Sequence, residues 1–200
     1  MTGSPTWAEY KQVTVLFADV VHSMDIAAAV GAERLREIMS GLFVRSSAVV
    51  QRYGGTVDKF TGDGIMAFFG APKAQPDHAI RAVRAAMNMQ SRMAPLLARW
   101  QKESRSFAEA TRGLATGIGI HTGEAVVGRI GSPRKKDYTA IGDTVNVAAR
   151  VQGVAAGGEV LITGATLSRI EGKARTELID PVALKGKSRA VAIHRVLSML

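Results

Sequence analysis

A glycine turn, Thr61-Gly62-Asp63-Gly64, separates two short strand-like runs at 56–60 and 65–69, and it constrains the fold of this 200-residue chain more than any other feature. Asp-Gly between such runs is a strong hairpin signal, because glycine reaches the positive φ that a tight reversal requires. Upstream, Leu35, Ile38, Met39, Leu42, Phe43, Val49, Val50 and Tyr53 recur at intervals of three and four. That spacing predicts an amphipathic helix over 33–53, stopped by Gly54-Gly55. Before the helix, the apolar run at 13–20 carries Asp19 near its end and predicts a strand that opens the domain.

After the hairpin, Pro72 and Pro76 punctuate a loop, and Ile80, Val83, Met87, Ala94 and Leu97 mark a second long helix strained at Pro95. Polar residues at 101–112 read as a connector. Strands are predicted at 114–121 and 125–130 around Thr122-Gly123-Glu124, followed by a helix at 143–154 closed by Gly157-Gly158. A strand at 159–163, a short helix at 165–170 and a strand pair at 175–184 and 190–196 complete the chain. The order β-α-β-β-α-β predicts an α/β (α+β) fold: a ferredoxin-like core with a mostly antiparallel sheet, helices on one face and additional C-terminal β/α elements. The domain is expected over 11–200, after a flexible N-terminal segment at 1–10.

Composition narrows the functional classes. No apolar stretch approaches the roughly 20 residues that span a bilayer, so direct membrane insertion is not expected. Residues 1–6 lack the basic-then-apolar order of a secretory signal, and the chain has no cysteine for disulfide or thiolate chemistry. A cytoplasmic enzyme fits these features. The net charge of +9 calls for an anionic partner. The basic residues are dispersed, however, and the densest run, Arg134-Lys135-Lys136, has no interleaved aromatics, which speaks against nucleic acid.

Two carboxylates, Asp19 at a strand end and Asp63 in a tight turn, are the oxygen ligands that hard divalent cations use when they hold phosphates. Asn146 and Arg150, four residues apart on one predicted helix, share a face near a strand end carrying Thr139. An amide and a guanidinium so placed can hold a sugar edge and a phosphate together. Other motifs fail on inspection. Gly186-Lys187-Ser188 has Pro181 where a phosphate loop needs its first glycine, and Gly117-Ile118-Gly119 has Thr122 where a dinucleotide fingerprint needs its third. The isolated His22, His78, His121 and His194 read as packed or exposed side chains.

Taken together, Phe17-Ala18-Asp19-Val20-Val21-His22-Ser23, Lys59-Phe60-Thr61-Gly62-Asp63-Gly64 and the segment from Thr139 to Arg150 resemble the catalytic domain of class III nucleotide cyclases, the adenylate and guanylate cyclase family. The resemblance runs from about Lys11 to Val196. It implies two Mg²⁺ or Mn²⁺ ions held by Asp19, Asp63 and a backbone carbonyl at Val20. It also implies Arg150 as the transition-state arginine, Asn146 as the ribose-orienting residue, and Lys59 with Thr139 as the base-selecting pair. Lys185 matches a lysine that reaches the triphosphate, Arg134 or Lys135 a second phosphate arm, and Phe17 lies among the substrate contacts.

A lysine donates to the adenine N1 acceptor, whereas guanylate cyclases carry a glutamate there, so ATP is the implied substrate. Threonine replaces the commoner aspartate at 139, resembling a subclass whose members often respond to bicarbonate. Family members work as head-to-tail dimers with shared sites, which implies a homodimer here. Two alternatives remain open at this point. One is a guanylate or diguanylate cyclase, although the latter expects a Gly-Gly-Asp/Glu-Glu-Phe turn that Thr61-Gly62-Asp63-Gly64 is not. The other is a catalytically weak cyclase-like regulatory domain.

Overall fold

The computed structural model describes residues 8–100, 102, 105–132, 135–182 and 190–200. The elements run β1 (Glu9–Val21), α1 (Ser23–Val30), α2 (Ala32–Arg52), β2 (Thr56–Phe60), β3 (Gly64–Phe69), α3 (His78–Trp100), α4 (Arg105–Ala110), β4 (Ala115–Ser132), β5 (Lys135–Ile141), α5 (Asp143–Gln152), β6 (Val160–Thr163), α6 (Gly164–Leu167), β7 (Ala174–Val182) and β8 (Val191–Met199). One eight-stranded sheet has the order β2-β3-β1-β4-β6-β8-β7, with β5 paired to β4 off that path. The β4–β6 pair is parallel and the remaining pairs are antiparallel.

Successive side chains of a strand point to opposite faces, and β1 shows what each face meets. Leu16 and Ala18 pack with Val49 and Val50 of α2 and with Val83 and Ala86 of α3. Val13 and Val15 instead join Met66, Phe68 and Ala148, the last from α5. Helices therefore cover both faces of the sheet, α2 and α3 on one and α5 on the other. This corrects the expectation of helices on one face. The reason lies in α5, whose Val147, Ala148 and Val151 form a second apolar stripe that needs its own side of the sheet.

The second correction concerns Thr122-Gly123-Glu124, predicted as a turn. These residues continue β4 without reversal and pair in register with Thr14, Val13 and Gln12 of β1. The chain reverses later, between β4 and β5. Turn-like residues occupy the middle of this strand because of their neighbours. A side chain at 123 would meet Thr144 Oγ1 at 2.6 Å, and Thr122 is buried in a polar chain. His78 Nδ1 and Thr14 Oγ1 are 2.7 Å apart, Thr14 and Thr122 hydroxyls 2.8 Å, and Thr122 and Thr166 hydroxyls 3.0 Å. The helix α3 runs through Pro95 to Trp100, in keeping with the expected placement of Leu97 in it.

Burial, then the positive charge of Arg169, lowers the pKa of His78 below its usual value. A lowered folded-state pKa means that His78 favours the native state above about pH 6.5 and loses that contribution as the pH falls further. The expected outcome is a melting temperature that drops between pH 6.5 and 5. In His78→Gln the drop should be shallower, although the variant melts lower at pH 7.5, and fluorimetric melts across pH check both parts.

Candidate active site

The first part of the site forms where β1 meets the β2–β3 turn. Asp19 is opposite Gly64 on one side and Gly117 on the other. A Cβ at Gly64 would lie 2.7 Å from Ala18 O and 2.8 Å from Asp19 Oδ1, so only glycine lets the hairpin close onto β1. Gly62, at φ +78°, supplies the left-handed conformation of the turn. The Val20 N–H donates to Asp63 O at 3.1 Å and to Asp19 Oδ1 at 3.0 Å, tying the two aspartates to one backbone segment. Ser23, at the start of α1, donates its hydroxyl to Asp63 Oδ2. Phe43, Ser46 and Thr116 line the same small cleft.

The carboxyl groups of Asp19 and Asp63 are near enough for each to influence the ionisation of the other. Burial, followed by the hydrogen bond and charge of Asp63, raises Asp19 to about 7. Burial works against ionisation of Asp63 as well, but donors from Ser23 and Asp19 outweigh it and hold Asp63 below the usual carboxylate range. With both groups ionised the two carboxylates repel. A divalent cation suits the same place, because it can neutralise both. Among the described residues there is no group of three or more His, Cys, Asp or Glu that could hold a metal. Two carboxylates leave the other positions to carbonyls, water and phosphate oxygens, a donor set that fits Mg²⁺ or Mn²⁺ in a nucleotide site.

A raised folded-state pKa makes Asp19 stabilising at low pH, and that stability is lost as pH rises through about 7. In chelator, Asp19→Asn should therefore melt increasingly above wild type as pH rises from about 4 to about 7, with the difference levelling off above that. Adding Mn²⁺ at pH 8 should raise the wild-type melting temperature and leave the variant nearly unchanged.

The second part of the site lies on β2 and β5. Lys59 is half exposed, while Thr139, opposite Gly128 on β5, is buried. Between them stands Asp58, whose side chain is 2% exposed. Thr139 Oγ1 donates to Asp58 Oδ2 at 2.5 Å, the Ala140 N–H reaches the same oxygen at 3.4 Å, and Lys59 Nζ lies 3.6 Å from Oδ1. The β2 register slips between Val57 and Lys59, which makes Asp58 the extra residue of a β-bulge. Sequence reasoning missed Asp58, since strict alternation has no place for an unpaired residue. The one available signal was two adjacent charges, Asp58-Lys59, inside a five-residue strand.

The third part is α5. Asn146 is exposed and Arg150 half buried, one turn apart. Thr144 Oγ1 donates to Glu124 O at 2.5 Å and fixes the start of the helix. Its end lies against Gly119, where a Cβ would stand 2.1 Å from Gln152 N. Gly119 is explained by this approach of α5 to β4, and Gly117 by the segment that follows the helix, where a Cβ would lie 2.7 Å from Ala155 O. Phe17 is partly buried and packs against the core cluster on the α5 side of the sheet.

Within one chain, then, Asp19 lies beside Asp63, and Lys59 and Thr139 both meet Asp58, but no hydrogen bond or ion pair among the described residues joins the aspartate pair to Lys59, Thr139, Asn146 or Arg150. Lys185 and Arg134 lie outside the described residues. For Lys135 only the backbone, in β5, is described. The histidines are packed or exposed as expected: His78 is buried, His121 shares a 2.7 Å hydrogen bond with Thr163, and His22 is exposed beside Asp25.

The fold and these motifs define a nucleotide cyclase domain. The family described as the adenylate and guanylate cyclase catalytic domain matches residues 6–196, and the chain belongs to it. The chain is 32% identical over 203 residues to Adenylate cyclase 1 of Rhizobium meliloti, covering 99% of this chain and 29% of that protein. It therefore spans less than a third of the length of that relative. Among solved structures, the adenylyl cyclase CyaB from P. aeruginosa superimposes with a TM-score of 0.87 at 32% identity, covering 96% of each chain. The guanylyl cyclase Cya2 superimposes with a TM-score of 0.83 at 29% identity, covering 96% of this chain and 94% of the other. No described helix is long and apolar enough to cross a membrane.

Proposed function

We propose that this domain is an adenylate cyclase that converts ATP to 3′,5′-cyclic AMP and pyrophosphate at sites shared between two copies of the chain. The observation that carries this reading is the separation of two complementary half-sites, an acidic pair at one sheet end and a base-reading and phosphate-reading set elsewhere. Neighbours in the family include both adenylyl and guanylyl cyclases, so base choice rests on Lys59 and Thr139. A lysine donor suits N1 of adenine, while guanine presents a donor there.

Asp19, Asp63 and the carbonyl of Val20 would hold two divalent cations, Mg²⁺ or Mn²⁺. When bound, these would supply activation of the ribose 3′-hydroxyl and neutralisation of phosphate charge. The 3′-oxygen then forms its bond to the α-phosphorus as the bond to the bridging oxygen of the β-phosphate breaks, pyrophosphate leaving with that electron pair and the hydroxyl proton passing to water. Asn146 orients the ribose and Arg150 meets charge developing on the α-phosphoryl oxygens. Lys185, with Arg134 or Lys135, reaches the outer phosphates, and Phe17, two residues before Asp19 on β1, adds to the substrate contacts.

A homodimer supplies what each chain lacks. Beside the hairpin, Phe60 and Val44 are exposed apolar side chains, and the Phe43 and Phe60 rings stack at 4.6 Å, giving a face suited to a second copy. The reaction places the domain in the cytoplasm, where ATP is available. Threonine at 139 adds bicarbonate as a regulator, and a bicarbonate series at fixed pH that left turnover flat would remove it.

Assaying wild type and Lys59→Glu with ATP and GTP tests the base assignment. Wild type is expected to favour ATP, and Lys59→Glu to lose roughly 100-fold on ATP while losing little or gaining on GTP. A wild type that prefers GTP would overturn it.

A further inference from the structure

Asp58 belongs to none of the motifs that identify the family, yet it is the most buried charged side chain of the nucleotide half-site. Its side chain is 2% exposed, and its Oδ2 takes the Thr139 hydroxyl at 2.5 Å. A carboxylate only accepts hydrogen bonds, so in that pair the threonine must be the donor. A hydroxyl has one proton and two lone pairs. Once its proton is committed to Asp58, Thr139 Oγ1 can offer a base edge nothing except an acceptor.

We propose that Asp58 is a specificity-determining positioning residue, which fixes Thr139 as an obligate acceptor and so selects a 6-amino purine over a 6-oxo purine. Adenine carries an amino donor at position 6 and guanine a carbonyl acceptor. A free threonine hydroxyl would serve both equally, by rotating. An oriented one accepts from the amino group and presents lone pairs to the carbonyl, where the mismatch leaves two acceptors face to face. The neutral residue at 139 thereby acquires the polarity that an aspartate would have there, with Asp58 holding the charge one step back. Through Oδ1, 3.6 Å from Lys59 Nζ, the same carboxylate also steadies the lysine that reads N1.

The β-bulge explains how this becomes possible. In a regular strand Asp58 and Lys59 would point to opposite faces. The register slip between Val57 and Lys59 releases Asp58 from that alternation. Both side chains can then serve one base-reading edge. The Ala140 N–H, 3.4 Å from Oδ2, adds a donor from the β5 backbone, so the carboxylate is held from two directions.

The inference rests on the adenylate cyclase reading, and the test separates the two. Wild type, Asp58→Asn, Thr139→Val and the double variant are assayed with ATP, GTP and purine riboside triphosphate, which keeps the N1 acceptor and lacks the 6-amino group. For Asp58→Asn the preference for ATP over GTP should fall about 10-fold or more, chiefly through KM. Wild type should use purine riboside triphosphate about 10-fold less efficiently than ATP, a difference that shrinks in Asp58→Asn and vanishes in Thr139→Val. In the Thr139→Val background, Asp58→Asn should change discrimination at position 6 little further, the mark of a residue acting through another. A folded Asp58→Asn protein with unchanged ATP to GTP preference would overturn the proposal. If that variant does not fold, wild type treating ATP and purine riboside triphosphate alike overturns it instead. Absence of any cyclic nucleotide from ATP with wild type would sink the enzymatic reading itself.

Discussion

Asp19→Ala and Arg150→Ala, each inactive alone, should regain activity when mixed. In the proposed mechanism, removing Asp19 takes away one of the two carboxylates at the cation site, and removing Arg150 takes away the cationic donor to the α-phosphoryl oxygens. Each loss is expected to be about 100- to 1,000-fold. If sites are shared head to tail, a heterodimer of the two variants has one interface that carries both defects and one that carries neither. Random pairing makes about half of the dimers mixed, with one of two sites intact, so the mixture should recover about a quarter of wild-type turnover. The two proteins, titrated against each other with cyclic AMP formation as readout, check this. A flat response while heterodimers form by native mass spectrometry would mean that each chain builds its own site.

Gly119→Ala should be the most damaging small change in the fold. A Cβ at 119 would stand 2.1 Å from Gln152 N and 2.5 Å from its Cα, both backbone atoms of α5 that cannot rotate aside. Either the helix lifts from β4 or the strand bends away from it. Overpacking of this kind costs about 3 kcal/mol, or roughly 10 °C of melting temperature for a domain of this size. Because Asn146 and Arg150 ride on α5, the surviving folded protein should also show reduced kcat, with ATP selectivity set by Lys59 and Thr139 retained. Melting curves and kinetics on one preparation distinguish this from a purely local change at Gly62, where a Cβ would meet nothing within 4 Å and only the positive φ is strained.

The parts of the fold that could be read from residues alone are those governed by local periodicity. The stripe from Leu35 to Tyr53 became α2, and Gly62-Asp63-Gly64 became the hairpin turn, because each signal is carried within one element. What misled was residue choice dictated by a distant neighbour. Gly123 sits in β4 because Thr144 approaches it, and Thr122 because a buried hydroxyl chain runs through it, and neither cause is visible in a window of sequence. The site divides along the same line. Asp19 and Asp63 announced themselves as carboxylates at a strand end and in a turn. Asp58 did not, since its burial depends on a bulge and on the arrival of β5 from 81 residues away. Both aspartates at the proposed cation site and the proposed base-reading lysine were found from spacing and family resemblance, whereas the carboxylate that accepts from Thr139 required the tertiary structure.

The central claim is met most directly by incubating the purified chain with equimolar ATP and GTP and Mn²⁺, and resolving the cyclic products in a single reaction. The expected result is cyclic AMP in clear excess over cyclic GMP, with one pyrophosphate per cyclic nucleotide and no product when chelator is present. Cyclic GMP in excess, or no cyclic nucleotide from a folded dimeric protein, would contradict it.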